Sequence, residues 1–331
     1  MQKPLKKNDP LAEVMARYAV AVTDEVMETI NPADPHDPVA RQYLPSVEEL
    51  ETTAAERADP IGDEVHTPVK GIVHRYPDRV LLKPVHVCSV YCRFCFRREK
   101  VGPGSEMLSP PELLAALDYI RNTPQVWEVI LTGGDPFVLS PRRLRDIMSA
   151  LNEIDHVKVI RFHTRVPVAD PSRVTPELVE ALASEKAVYV VLHCNHAQEL
   201  TDKVRAAARL FLGAGIPLLS QSTLLRGVND DTETLENLFR ALAAMRIKPY
   251  YLHHPDLAPG TGHFRLPLAA GRAIVSGLQG RLSGIAQPHY MLDIPGGFGK
   301  APVGVSWIEE KDGHHLVTDY KGKKHAYPPE E

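Results

Sequence analysis

Three cysteines set the first chemistry to consider. Cys88, Cys92 and Cys95 lie in the run Cys-Ser-Val-Tyr-Cys-Arg-Phe-Cys, a CxxxCxxC spacing that puts three thiolates on one short segment. A structural zinc ion takes four protein ligands, and His86, the nearest imidazole, sits on an expected strand two residues before Cys88, where it would point away from a loop-borne cluster. Three thiolates suit an iron-sulfur cubane with one iron left open to a ligand from outside the protein. Ligand count and loop position together favour the cluster over zinc or a chance grouping. The remaining cysteine, Cys194, stands alone, and such clustering argues for metal binding over a disulfide framework.

Three further segments hold candidate chemistry. Leu131-Thr-Gly-Gly-Asp-Pro136 ends an apolar run with a glycine pair, Gly133 and Gly134, that lets backbone approach a ligand closely; Asp135 reads either as a ligand contact or as a turn residue. Asp293-Ile-Pro-Gly-Gly-Phe-Gly-Lys300 sets a lysine behind a glycine-rich loop. It fails as a phosphate P-loop, because Ile294 stands where a glycine is needed and Ala301 where a Ser or Thr is needed. A lysine in such a loop can instead form an imine with an aldehyde cofactor, or simply be solvated. His74-Arg-Tyr-Pro-Asp-Arg79 offers Arg75 and Arg79, four apart around Tyr76, as a grip for a phosphate.

These segments need a scaffold. The 331 residues are 44% hydrophobic and 24% charged, an ordinary globular composition, and 38 basic against 42 acidic residues give a net charge of -4. Without an excess basic field, nucleic acid is not an expected partner. The start, MQKPLKKNDP, has no apolar stretch behind it and no apolar run is long enough to span a bilayer, so the expectation is a soluble, cytoplasmic protein with no membrane partner. Residues 1–70 read as an irregular, proline-rich and acidic wrap with one or two helices, for example over residues 11–28, and little chemistry of its own. Six strand candidates then end near Val87, Thr132, Thr164, His193, Leu225 and His254, separated by helix-like stretches over residues 110–121, 141–152, 176–184, 198–213 and 232–245. Strand and helix in alternation predict a parallel sheet, and near-continuous apolar strands predict burial on both faces. The cysteine segment, Gly133-Gly134-Asp135, His163-Thr164-Arg165, His193, Gln221 and Asp256 fall at or just past the C-terminal ends of successive strands, where barrel enzymes assemble their sites. The expectation is therefore an α/β fold, an incomplete parallel (β/α)6 barrel over residues 71–303, with a polar, peripheral tail over residues 304–331.

The segments HRYPDRVLL, CSVYCRFCFRR, LTGGDP, SQSTLLRGVND, PYYLHHPD, GHFRLP and DIPGGFGKAPV, in this order, resemble the lysine 2,3-aminomutase family of the radical S-adenosylmethionine superfamily. The resemblance implies a 4Fe-4S cluster on Cys88, Cys92 and Cys95, with S-adenosylmethionine on its open iron, and pyridoxal 5'-phosphate bound to Lys300. It implies that Gly133, Gly134 and Asp135, with His193 and Gln221, line the S-adenosylmethionine site. Arg75, Tyr76 and Arg79 would take the cofactor phosphate, Arg97 the substrate carboxylate, and Asp256 and Asp293 the side-chain ammonium of L-lysine. The implied reaction moves the 2-amino group of L-lysine to carbon 3 by a radical route, with flavodoxin or ferredoxin as a fitting electron donor.

Two departures qualify the resemblance. Longer members carry a C-terminal extension with zinc-binding cysteines between subunits; only Cys194 lies outside the cluster here, so intersubunit zinc is not expected and a homodimer is left open. His253 stands where the family has an aromatic residue near the pyridoxal. Short relatives that make (R)-β-lysine for elongation factor P are the alternative within the class. A non-catalytic iron-sulfur or zinc binding protein is the alternative outside it, disfavoured because a scaffold has no need of Lys300, Arg97 and both aspartates.

Overall fold

In the computed structural model, which describes residues 10–102, 104, 107–311 and 314–329, the span over residues 11–28, where one or two helices are expected, holds two short ones: α1 (Pro10–Arg17) and α2 (Asp24–Thr29). The β-branched residues Val20, Val22 and Thr23 lie between them, and the Thr23 hydroxyl caps α2 by accepting the Val26 N–H at 3.3 Å. The basic stretch of residues 1–9 lies outside the described residues. A third short helix, α3 (Pro38–Tyr43), starts with proline at its first position behind the Asp37 cap.

The sheet begins with an antiparallel hairpin, β1 (Ile72–Tyr76) and β2 (Arg79–Val85), turned by Pro77 and Asp78. The alternation then runs α4 (Pro110–Arg121), β3 (Glu128–Gly133), α5 (Pro141–Asn152), β4 (Val159–Thr164), α6 (Val166–Ala169), α7 (Pro176–Glu180), β5 (Ala187–His193), α8 (Asp202–Gly213), β6 (Leu218–Thr223), α9 (Thr232–Ala244), β7 (Ile247–His253), α10 (Leu268–Ser276), β8 (His289–Asp293) and β9 (Lys300–Pro302). The helices at 110–121 and 141–152 match expectation. The helix expected over 176–184 stops at Glu180, and the one over 198–213 begins at Asp202 after a short 3-10 turn. Strands β2 to β8 pair in parallel and in chain order, with β1 and β9 as antiparallel edges of a nine-stranded sheet. The six expected strands are present as β2 to β7, and the barrel is open, as expected. The strand β8 is a seventh parallel member, and it ends at Asp293.

The two sheet faces are not equivalent. Val129, Leu131, Ile160, Phe162, Val190, Leu192 and Leu252 are fully buried in one continuous core with α4, α5, α8 and α9. The residues between them in sequence, such as Glu128, Ile130, Thr132, Arg161, His163, His193, Tyr251 and His253, face an interior cavity, as strand alternation requires. Burial on both faces is therefore as expected, since Ile130, Thr132, Arg161, Val191 and His253 are buried as well, but only the helix side is apolar throughout. The inner face is polar because it lines the cavity.

The tail is more ordered than expected. Strands β10 (Ile308–Lys311), β11 (His314–Thr318) and β12 (Lys324–Tyr327) form a separate antiparallel sheet. Tyr320 sits against Gly280, where an added Cβ would come within 2.4 Å of its ring.

Candidate active site

The open barrel encloses a cavity of about 490 Å³, and every residue singled out from the sequence lines it: Cys88, Cys92, Cys95, Gly133, Gly134, Asp135, His193, Gln221, Arg75, Tyr76, Arg79, Arg97, Asp256, Asp293 and Lys300. Pieces from the hairpin, the cysteine loop, the ends of β3 to β8 and the start of β9 thus converge on one space.

The cysteine loop is held from below by the N-terminal wrap. The Tyr91 N–H donates to Ala21 O at 3.1 Å and the Arg93 N–H to Gln42 O at 2.8 Å. Glu49, with no solvent exposure, accepts from the Arg93 Nε at 2.9 Å and from the guanidinium of Arg98, whose Nη1 also reaches Gly260 O at 3.1 Å. The wrap therefore does more than the sequence suggested, since its buried Glu49 fixes Arg93 and Arg98, two of the arginines around Cys95. Burial raises all three thiols, Cys92 to about 11 despite the Arg165 charge and Cys88 further. Iron binding would supply the positive charge that the thiolates need. Among the described residues no three Cys, His, Asp or Glu side chains converge on a point suited to a single metal ion. Three neighbouring thiols lining one cavity fit a cluster's donor set.

At the end of β3 the glycines have a structural reason as well. Gly133 has φ +115°, and a Cβ on Gly134 would come within 2.3 Å of Val87 O, so the backbone leading into the cysteine loop can pass only over glycine. Of the two readings of Asp135, the geometry favours the turn residue: its carboxylate accepts from Phe137 N, Thr164 Oγ1, Arg165 N and Val166 N, at 2.6 to 3.1 Å. That ties β3 to the end of β4 and leaves the carboxylate fully occupied by protein donors. His193 Nε2 faces His163 Nδ1 at 3.3 Å, and burial with the nearby Arg165 charge brings the His193 pKa down to about 3, so the imidazole is neutral. The Gln221 side-chain amide has no hydrogen bond among the described residues, and its donors and acceptor remain for a ligand.

The opposite end is built around Asp293. In the β8/β9 ladder Asp293 lies across from Lys300, whose ammonium donates to both carboxylate oxygens at 2.6 Å. His253 Nδ1 lies 3.2 Å from Oδ2 and Arg75 Nη1 3.8 Å from Oδ1. Burial opposes the Asp293 charge, but the His253 hydrogen bond and the Lys300 charge outweigh it and hold the carboxyl well below its ordinary range. The turn between them passes through Gly296, Gly297 and Gly299, all at φ near +90°, and the Lys300 N–H donates to the Tyr76 hydroxyl at 2.9 Å. Arg79 stacks on the Tyr76 ring at 3.8 Å and is braced by Asp78. Asp256 behaves oppositely to Asp293: it has no hydrogen bond or ion pair among the described residues, and burial together with the Asp293 charge lifts its pKa to about 7.

Three residues at or behind the cavity wall escaped the sequence reading. Asp63, from the wrap, lies behind the wall and accepts from Arg97 and Arg75. Arg161 pairs with Glu128, both on the wall, and the polar positions alternating within β3 and β4 were the available signal for them. His163 and Arg165, marked at a strand end by the sequence, also line the cavity; Arg165 donates to the Tyr43 hydroxyl at 2.5 Å and lies 3.2 Å from Glu199.

A family model described as the radical SAM superfamily matches residues 82–239. The L-lysine 2,3-aminomutase of Clostridium subterminale is 41% identical over 307 residues, 92% of this chain and 74% of that protein. The L-lysine 2,3-aminomutase of Acetoanaerobium sticklandii is 41% identical over 298 residues, covering 90% of this chain and 72% of its own length. The chain belongs to the lysine 2,3-aminomutase family. The glutamate 2,3-aminomutase of Clostridioides difficile is 34% identical over 319 residues, 96% of this chain and 75% of that protein, so relatives with different substrates lie close together. Membership of the radical SAM superfamily implies a 4Fe-4S cluster and S-adenosylmethionine as cofactors. No helix among the described residues is long and apolar enough to cross a membrane.

Proposed function

We propose that this chain is a radical isomerase that converts L-lysine to β-lysine and that Lys300 carries pyridoxal 5'-phosphate. The observation that carries the substrate assignment is Asp256, a cavity carboxyl with no hydrogen bond or ion pair among the described residues, whose pKa burial and the Asp293 charge raise to about 7 although Lys300, Arg97 and Arg75 act against the rise from farther off. A side-chain ammonium is the ligand that would complete it, and a second carboxylate such as that of glutamate would worsen the repulsion.

When bound, the cluster and S-adenosylmethionine would supply a carbon-centred radical capable of hydrogen abstraction, and pyridoxal phosphate a conjugated ring that would delocalise an unpaired electron while the amino nitrogen changes carbon. The chain's own residues supply place and charge. Asp293 accepts from Lys300 Nζ through both carboxylate oxygens and, with Asp256, lines the end of the cavity that would take the substrate's side chain. His253 fixes the Asp293 carboxylate from its other side. The buried Arg75 Nε has no hydrogen-bond partner and, with Arg79 and the Tyr76 hydroxyl, suits a phosphate. Arg97 lines the same cavity from the cysteine loop, and its planar fork suits the α-carboxylate. A flavodoxin or ferredoxin would deliver the electron that starts the cycle.

Anaerobic incubation of the reconstituted protein with S-adenosylmethionine, pyridoxal phosphate, a reductant and either L-lysine or L-glutamate tests the reading, with chiral chromatography of the products. β-Lysine should form, and its configuration assigns the stereochemistry. Unchanged lysine, or preference for glutamate, overturns the substrate assignment. Borohydride trapping should place the cofactor on Lys300, and label on another lysine refutes that part.

A further inference from the structure

Asp63 belongs to the wrap, yet it lies at 7% exposure among three cations, Arg75, Arg97 and Lys83, the first two of which line the cavity. Its Oδ2 accepts from Arg97 Nε at 3.1 Å and Nη2 at 2.9 Å, with the Lys83 ammonium at 3.7 Å. Its Oδ1 accepts from Arg75 Nη2 at 3.1 Å, and that same nitrogen donates to Ile61 O at 2.6 Å. The Arg97 contact is made along one edge of the guanidinium, Nε and Nη2. Nη1 has no hydrogen bond among the described residues, so Nη1 and the second hydrogen of Nη2 remain as an end-on pair.

Asp63 is also fastened. Its own N–H donates to Asp59 Oδ1 at 2.8 Å, and the adjoining Gly62, at φ +66°, lies so near the Lys300 loop that a Cβ would come within 2.6 Å of Gly297 N. His66, three residues on, has Nε2 at 3.0 Å from Gly297 O. A carboxylate that only stood in for an absent substrate would need freedom to withdraw, and this one is pinned by its own turn, by Arg75 and by the glycine loop.

We propose that Asp63 is a positioning residue for recognition of the substrate's α-carboxylate: it holds the Nε/Nη2 edge of Arg97 so that the end-on fork is presented to the cavity. This deepens the proposed function and rests on its assignment of Arg97. Orientation is the gain, and it is bought against a Coulombic loss, because a nearby carboxylate also repels the substrate's own; the sign of the mutational effect therefore decides between positioning and competition.

The test is equilibrium binding to the anaerobic holoenzyme without reductant, so that no turnover occurs, using L-lysine and L-lysinamide, which lacks the carboxylate charge. Arg97→Gln should abolish the preference for lysine over lysinamide. Asp63→Asn, nearly isosteric, should weaken lysine binding about tenfold while leaving lysinamide within about twofold, and should add nothing in the Arg97→Gln background. Asp63→Glu should recover part of the preference. Unchanged or tighter lysine binding by Asp63→Asn, or equal losses for both ligands, overturns the inference. If Arg97→Gln keeps the preference, the Arg97 assignment itself fails, a result distinct from failure at Asp63 alone.

Discussion

The two ends of the cavity are built in different ways. The three thiols hang from one loop of consecutive residues, braced underneath by Glu49, Arg93 and Arg98. The cationic and acidic end takes His253 from β7, Asp293 from β8, Lys300 from β9 and Asp256 from the connection after β7, so it exists only once the sheet has closed on itself. Their electrostatics differ too. Burial pushes every thiol in the same direction and calls for one polycation, whereas the two aspartates are driven apart, Asp293 low and Asp256 high, and together call for one small cation. A loop-borne centre depends on local bracing; a centre made from strand ends depends on register.

Breaking the first end should have the largest effect. Cys92→Ala should lose the 4Fe-4S absorbance and all measurable turnover, because the cubane is left with two protein ligands. Cys194→Ala should leave iron content unchanged. Iron at the wild-type level in the Cys92 variant would remove the loop from the chemistry altogether.

The bracing of that loop can be broken without touching a ligand. Glu49 is buried between two arginines, and Glu49→Gln leaves both guanidinium groups short of their counter-charge. Removal of one partner from a buried ion cluster typically costs roughly 3 to 5 kcal/mol. Chemical denaturation should show a loss of that order, and hydrogen exchange should show the residues around Cys95 opening first. A change within about 0.5 kcal/mol would mean that the wrap is passive after all.

At the other end, Asp293→Asn deprives Lys300 and His253 of their shared partner. At roughly 3 to 5 kcal/mol per broken buried pair, lysine turnover should fall by about two orders of magnitude or more, with the cluster intact by absorbance and iron analysis. Near wild-type kcat/KM would break the comparison, since the two ends would then not be separately responsible for radical formation and for substrate charge.

This difference in construction also explains what could be read before folding. The thiol loop was legible because its ligands lie within eight residues, and Lys300 because a glycine run with no P-loop match needs another purpose. Strands β2 to β7 were legible from apolar runs, but those runs hid part of their own inner face: Glu128 and Arg161 alternate with core residues and looked like interruptions, whereas His163 stood out at a strand end. Strand β8 was missed because it is five residues long and follows Pro288, so its only sequence signal is the aspartate that ends it. Asp63 was illegible for a stronger reason. Asp-Pro-Ile-Gly-Asp reads as an exposed turn, and its partner Arg97 is 34 residues away, so nothing local distinguishes it from the other acidic residues of the wrap.

The smallest expected effect lies in the contrast between the two aspartates, and it is read through pH. Asp256 has a pKa of about 7, raised first by burial and then by the Asp293 charge, against an ordinary value of 3.8. Below that point the carboxyl is protonated and cannot pair with an ammonium; above it the charge is present. The lysine side chain stays cationic until about pH 10, so it adds no step in this window. Affinity for L-lysine should therefore rise about tenfold from about pH 6 to about pH 8, the increase in ionised Asp256 expected for that pKa. Asp256→Asn should flatten this rise, and Asp293→Asn should shift it to lower pH by removing the neighbouring charge. Stability has the opposite slope. Because the folded pKa lies above the unfolded one, the folded protein binds the extra proton between about pH 4 and pH 7, and its stability should fall as pH rises through that window. Denaturation of wild type and Asp256→Asn at about pH 5 and about pH 8 should show the variant gaining relative stability at the higher pH. A wild-type affinity that is flat across pH 7, or an Asn variant with the same profile, would mean that Asp256 is already satisfied and that Asp293 alone reads the substrate's charge.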